Sequence, residues 1–389
     1  MASSGELRAY ATAHGVDLVG CTSASPFMVG PQQRRVDPRS FLPDAESVVV
    51  AACYTYGFET CEQSVPGAPR GRFGPWTRAS LAASHYGQEV LKGFLEGQGY
   101  GVALTNEIPY KMAAVRSGIA CYGKNCIVHA DGFGSYLEPA AVVTNAKLDC
   151  TDQPIESSDC GSCTACVEAC PAQALVRPYQ LDVDRCICGW LWGRPIPRDQ
   201  REKVGRYIFR CGYCQDACPK NQQLKPRASF PFELEDKRDR PELIPLLLGD
   251  RDTLCSALPS FVMEAGLDNI RRNVAIALGN SGDAAAVPAL IEAIQFDPPR
   301  VRAAAAWALG RLGGAQAEQA LQKARNSEAD QKVHEETEVA LGDRGRLTRA
   351  VGAAENPIQI DANSAASRLV LKKAEEKLRE RQGNALEEP

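Results

Sequence analysis

The 389-residue sequence predicts three folded parts in series: an α/β part at the N-terminus, a small cysteine-rich part, and an all-α part built from paired helices. Three observations predict this. Residues 1–150 alternate helical periodicity with short β-branched apolar runs. Residues 160–221 hold two cysteine runs, each closed by Cys-Pro. Ala-Leu-Gly recurs at Ala277, Ala308 and Ala340, 31 and 32 residues apart, each time after an amphipathic helical stretch.

In the first part, Leu7 to His14 reads as a short helix and Val16 to Cys21 as a strand ending in a tight turn. Ser47 to Tyr54 is a continuous apolar run, which suits a strand covered on both faces. Pro66 to Pro75 is rich in Gly, Pro and Arg and reads as a loop. Ala79 to Gln98 repeats apolar residues at helical spacing and stops at Gly97 and Gly99. A strand at Tyr100 to Leu104 and a helix at Met112 to Ser117 follow. Cys126 to His129 and Ala140 to Thr144 read as two strands joined across Asp131-Gly-Phe-Gly134. Gly123-Lys124-Asn125 between them lacks the upstream glycine spacing of a phosphate-binding loop.

The middle part, residues 151–225, carries the strongest chemical signal. Cys160-Gly-Ser-Cys163-Thr-Ala-Cys166-Val-Glu-Ala-Cys170-Pro171 has the ferredoxin spacing C-x2-C-x2-C-x3-C-P. Three thiolates at that spacing wrap one corner of a cubane iron–sulfur cluster, and the fourth reaches a second cluster. Cys211-Gly-Tyr-Cys214-Gln-Asp-Ala-Cys218-Pro219 is the answering run. Exchange of the last cysteines assigns Cys160, Cys163, Cys166 and Cys218 to one [4Fe–4S] cluster. Cys186, Cys211, Cys214 and Cys170 go to the other. Cys188 is then left over, or displaces Cys186 as the ligand. A structural zinc knot needs neither the three-cysteine run nor the proline, and a disulfide framework suits small secreted domains.

Leu224 to Arg240 is a polar connection, and residues 240–348 carry the helical repeat. Helices at Ile270 to Leu278, Val301 to Leu309 and Val333 to Leu341 precede or contain the Ala-Leu-Gly elements, and an apolar second helix follows the first two. These are HEAT-like hairpins, each burying its face against the next. Three repeats are too few for a long solenoid, so they are expected to pack on the cysteine-rich part. Residues 349–389 form a charged tail, in which Ala365 to Arg381 reads as a solvated helix or an unstructured segment.

Composition narrows the class. Charged residues make up 24% and the net charge is −4, which excludes a uniformly basic nucleic-acid coat. Sixteen cysteines without framework spacing beyond the cluster runs point to a reducing cytoplasm. The first residues lack the apolar core of a signal peptide, Arg34-Arg35 is not followed by an export segment, and no run approaches the roughly 20 apolar residues that span a bilayer.

Taken in this order, the chain resembles the epoxyqueuosine reductase family, cobalamin-dependent enzymes allied to reductive dehalogenases. The resemblance covers most of residues 5 to 345. It rests on the double-cluster run with the lone Cys186, the ending Cys218-Pro-Lys-Asn221, and Ser117-Gly-Ile-Ala-Cys-Tyr-Gly-Lys-Asn125. Gly134-Ser135-Tyr136-Leu137, Val143-Thr144 and Arg272-Asn273 to Asn280 also match. It implies an α/β cobalamin-binding domain, a ferredoxin-like double-cluster domain and HEAT-like repeats. The cobalamin would lie base-off between the first two, approached by Gly123, Lys124, Asn125, Ser135 and Tyr136. Two clusters in series would then carry single electrons from a low-potential donor such as ferredoxin or flavodoxin to the cobalt. The helical repeats would hold tRNA, with Arg271, Arg272, Arg300, Arg302 and Arg311 available to phosphates.

One departure stands out. The family's proton-delivering aspartate falls at Leu104, and its Asp-Tyr-His is replaced around Ser84-His85-Tyr86-Gly87. Reductive cleavage of a C–O bond still needs a general acid. Glu107 and Tyr110 are the leading candidates, with Lys111 and Tyr86 behind them. Tyr110 and Lys111 are adjacent, so their side chains diverge on a helix. The departure also keeps open a paralogue acting on a different oxidised or halogenated small molecule, and a non-enzymatic electron-transfer or corrinoid-reducing protein.

Overall fold

The computed structural model describes residues 3–30, 32–57, 66–74, 77–150, 152–153, 160–234 and 240–342. Cys61 and the tail at 349–389, with its helix at Ala365 to Arg381, lie outside them.

The N-terminal part opens with α1 (Ser4–Ala13), begun by a capping box in which Ser3 and Glu6 satisfy each other's backbone N–H groups. Next come β1 (Leu18–Ser23), the hairpin β2 (Phe27–Val29) and β3 (Arg34–Val36), β4 (Ser47–Tyr54), and β5 (Arg72–Phe73). After α2 (Thr77–Gly97) follow β6 (Val102–Leu104), α3 (Tyr110–Arg116), β7 (Cys121–Tyr122), β8 (Val128–His129) and β9 (Leu137–Thr144). The main sheet is antiparallel throughout, ordered β1-β4-β9-β6. All eight residues of β4 are buried, as its unbroken apolar run requires. Alternation along the strand sends Val49, Ala51 and Cys53 to a core with α1 and α2, and Val48 and Val50 to a core with α3. The strand expected over Cys126–His129 shrinks to two residues paired with β7, not with β9. The reason is local: Cys126 has φ +61°, inside a turn closed by the Gly123 N–H on the Ile127 carbonyl.

The cysteine-rich part strings short elements: α4 (Ala165–Glu168), β10 (Leu175–Arg177), β11 (Gln180–Leu181), α5 (Ile187–Trp192), α6 (Arg201–Val204), β12 (Tyr207–Phe209), α7 (Tyr213–Asp216) and α8 (Pro219–Gln222). The one-turn helices α4 and α7, one from each cysteine run, pack together. β12 pairs in parallel with β5, so the first two parts share a ribbon. Residues 225–234 then strap back over the N-terminal part. There Arg227 forms a bidentate pair with Asp17 (2.8 and 2.9 Å) and Phe232 packs on Tyr86.

The helical part comprises α9 (Leu243–Leu248), α10 (Arg251–Ala257), α11 (Ser260–Met263), α12 (Leu267–Ser281), α13 (Val287–Phe296), α14 (Pro299–Leu312), α15 (Ala315–Ser327) and α16 (Gln331–Gly342). The recurring Ala-Leu-Gly has a packing cause. A Cβ on Gly279 would lie 2.9 Å from the Cα of Ala308, and one on Gly310 would lie 2.8 Å from the carbonyl of Ala340. Each glycine thus lets its helix touch the next repeat's alanine. The helices do pack on the cysteine-rich part: one core runs from Trp190, Tyr207, Ile208 and Phe209 through Leu278 to Leu341. Within it, Asn273 donates to the Leu191 and Ile208 carbonyls (2.8 and 2.9 Å), and Arg272 to those of Trp190 and Arg194 (2.5 and 2.9 Å). No helix among the described residues is long and apolar enough to cross a membrane.

Candidate functional site: two thiol sets and the seam beside them

The cysteines gather into two sets. Burial raises the Cys166 thiol to about 11, and the thiols that add to the shift are Cys218, Cys160 and Cys163. The last residue of the second run has therefore crossed to the first. Cys214 is raised by burial and then by Cys188, Cys186, Cys170 and Cys166, so Cys170 has crossed the other way. Thiols that resist ionisation because they crowd one another suit a cationic cluster that takes all four as thiolates. The second set holds five sulfurs. Cys188 Sγ sits 3.7 Å from Cys211 Sγ and accepts the Cys211 N–H at 3.3 Å, while Cys186 shares a hydrogen bond with Cys188. Cys163, in the first set, is exposed.

The loops singled out in the sequence lie along the seam between the N-terminal and cysteine-rich parts. Lys124 Nζ donates to the Gly161 and Cys163 carbonyls (2.6 and 2.9 Å), clamping the first cysteine loop. Asn125 is buried, and its Oδ1 accepts the Ile127 N–H and lies 3.2 Å from His129 Nε2. Gly123 has no room for a side chain, since a Cβ would meet His129 at 2.3 Å. Ser135 is tied to the cysteine-rich part on every polar atom: its N–H donates to Asn221 Oδ1, its Oγ accepts from Asn221 and Gln215, and its carbonyl accepts from Gln215. Tyr136 stacks on Tyr56 with ring centres 4.6 Å apart.

Glu107 and Tyr110 do not converge. The Glu107 carboxylate pairs with Arg34 at 3.0 Å on the open surface. The Tyr110 hydroxyl accepts from Gln88 (2.9 Å) and lies within donating distance of the Thr105 carbonyl and Asn106 Oδ1. Burial raises its pKa. Lys111 is exposed, and the Tyr86 hydroxyl donates to the His14 carbonyl on the far side of α2. Leu104 ends β6 with 44% of its surface exposed.

The seam also holds groups that the sequence reading passed over. Glu138, on β9, accepts from Ser80 Oγ at 2.9 Å, and the same oxygen accepts from Arg210 at 3.2 Å. Burial raises the Glu138 carboxyl, against the opposing effects of Arg210, the Ser80 hydrogen bond and Lys111. The one signal for it in the sequence is a charge interrupting the apolar run Leu137–Thr144. His129 is held neutral, its pKa lowered to about 4 by burial and by Lys220. Three buried polar atoms along the seam lack a protein partner: Thr77 Oγ1, His129 Nδ1 and Gln215 Oε1. Such atoms cost free energy unless a bound molecule or water meets them, and the amide fringe of a corrin is a group of that chemistry. The thiol sets fit iron–sulfur clusters, and the seam offers unmet polar atoms to a corrin's amides.

Residues 159–221 match the 4Fe-4S double cluster binding domain, and residues 260–342 match HEAT repeats. With the two thiol sets, this defines the class: an iron–sulfur oxidoreductase carrying two cubane clusters under a helical-repeat module. The epoxyqueuosine reductase of Bacillus cereus is 31% identical over 358 residues, spanning 84% of this chain and 93% of that protein. That of Bacillus subtilis is 31% identical over 369 residues, spanning 86% and 94%. A solved epoxyqueuosine reductase with an epoxyqueuosine-modified tRNA-Tyr stem loop superposes with a TM-score of 0.76 at 29% identity, covering 87% of this chain and 98% of that one. The Bacillus subtilis enzyme, solved with its catalytic aspartate loop swung out of the active site, gives 0.77 at 29% identity with the same coverage. The chain belongs to the epoxyqueuosine reductase family. It is an oxidoreductase dependent on two [4Fe–4S] clusters and cobalamin.

Proposed function

We propose that this protein reduces epoxyqueuosine to queuosine in tRNA. The observation that carries the reading is its likeness, over 87% of this chain, to a reductase solved with an epoxyqueuosine-modified stem loop. Cys160, Cys163, Cys166 and Cys218 hold the first cluster, and Cys170, Cys186, Cys211 and Cys214 the second. Electrons enter from a low-potential one-electron donor, such as a ferredoxin or flavodoxin, near the exposed Cys163. Cobalamin, when bound, supplies a centre able to deliver two electrons to a carbon. Gly123, Lys124, Asn125, Ser135 and Tyr136 border it along the seam, and Glu107 and Tyr110 are the proton-donor candidates of the 104–110 loop.

The tRNA rests on the helical module. Arg272 is buried on backbone carbonyls and serves the fold. Arg302 pairs with Glu328, Arg271 with Asp297, and Arg311 with Glu202, and Arg300 bonds Asn269. Phosphate contact by these four would use their remaining donors, and a steep loss of tRNA affinity with salt would show it.

Anaerobic purification with added cobalamin, metal and corrinoid analysis, and turnover of epoxyqueuosine-containing tRNA test the proposal together. About eight irons, bound corrinoid and queuosine formation are expected. A fully loaded protein inert on that tRNA would instead favour a different oxidised substrate. The exposed Leu104, where the family carries its aspartate, is the observation on that side.

A further inference from the structure

We infer that Glu138 is the acid that gives a proton to the leaving oxygen of the substrate. The inference rests on the reductase reading above and deepens it. Four elements bring their polar groups to this carboxyl. Ser80 comes from the first turn of α2, Arg210 from the end of β12 next to the second thiol set, Lys111 and Tyr110 from α3, and Cys53 from the paired position on β4. The carboxyl is deeply surrounded, yet the residue keeps an accessible face. It is therefore reachable from one side. Thr77, one turn before Ser80 on the same face of α2, carries one of the unpartnered buried hydroxyls, a second sign that a ligand meets this corner.

The other donors are worse placed. Glu107 is held in an ion pair with Arg34 on the open surface, away from the seam. Tyr110 has its hydroxyl committed to the loop and to Gln88. Leu104 has no proton to give. Among the described candidates, Glu138 combines a carboxyl whose pKa burial raises with groups ready to receive the carboxylate left behind: the Ser80 hydroxyl, Arg210 and Lys111.

The balance is simple. Reducing an epoxide to an alkene breaks two C–O bonds and forms a C=C π bond. It consumes two electrons, delivered one at a time by the low-potential donor, and two protons, and it releases the oxygen as water. Glu138 gives one proton and becomes a carboxylate; solvent supplies the other and later reprotonates Glu138.

The test uses cofactor-loaded, full-length protein with epoxyqueuosine-containing tRNA. Glu138→Gln is expected to lower the single-turnover rate by about 100-fold or more, with iron content, corrinoid content and tRNA affinity unchanged. Glu138→Asp should recover part of the rate. The wild-type rate should fall as pH rises through the Glu138 pKa. Ser80→Ala, which removes a donor to the carboxylate, should move that limb to higher pH. Infrared spectroscopy at neutral pH should show a protonated carboxylic acid that Glu138→Gln lacks. If Glu138→Gln does not fold, the Ser80→Ala pH shift decides. A Glu138→Gln enzyme with half or more of the wild-type rate, an unmoved limb in Ser80→Ala, or an absent infrared band overturns the inference. A wild-type protein inert on this tRNA overturns the substrate reading instead, and the infrared band still decides whether Glu138 is held as an acid.

Discussion

The two thiol sets are built from the same motif and end in different surroundings. The first has four sulfurs, reaches the surface at Cys163 and is braced by one lysine from the N-terminal part. The second has five and leans on the large core shared with the helical repeats, with Cys170 and Cys211 packed against it. The chain thus leaves one set open to solvent at Cys163 and seats the other against a core.

Replacing a ligand should break this comparison most severely. Cys214→Ser is expected to lose about four irons and to cut turnover by at least about 100-fold, as read by iron analysis and electron paramagnetic resonance. Cys186→Ser should do the same, whereas Cys188→Ser should keep both clusters; the reverse result would make Cys188 the ligand. Asn273→Ala, at the rigid end, leaves the Leu191 and Ile208 carbonyls unmet. It should cost about 3–4 kcal/mol of unfolding free energy, measured by denaturant titration under anaerobic conditions.

On the seam, His129 lies beside Asn125. Its pKa is about 4 in the fold against about 6.5 for an ordinary histidine, so the unfolded chain binds the proton more tightly. Stability from this group is present above about pH 6.5 and is lost as pH falls toward 4, amounting to about 3 kcal/mol. His129→Gln should flatten that slope in denaturation followed against pH. At the exposed end, Lys124→Ala should have the smallest effect, about 1 kcal/mol, seen as faster iron release to a chelator from the first cluster with the second unaffected.

What the sequence made legible was whatever covalent spacing dictates. The cysteine runs fix which sulfurs can share a cluster, and the crossing of Cys170 and Cys218 follows from chain reversal at the prolines. Ala-Leu-Gly marks the helix contacts because a glycine there must face the next repeat's backbone. The seam was legible in part, through Gly123-Lys124-Asn125 and Ser135, but their partners were not. Ser80, Glu138 and Arg210 are separated by 58 and 130 residues from one another in the contacts they make, and no local pattern joins them. Glu107 and Tyr110 lie near Leu104 in the chain, whereas the buried carboxyl of Glu138 comes from a strand that reads as plain core. Cys126 to His129 misled for a related reason: apolar β-branched residues fit a turn flanked by buried side chains as well as a strand.

The contacts of Arg272 and Asn273 bear on how this enzyme can be cut or rebuilt. Four main-chain oxygens around the second iron centre are met by side chains from the repeat module. Removing that module would strip these oxygens bare along with an apolar wall, so the metal-bearing half would not survive as an autonomous fragment. The repeat module is thus also masonry for the redox centre, and exchanging it for another helical module would mean keeping those two side chains in place.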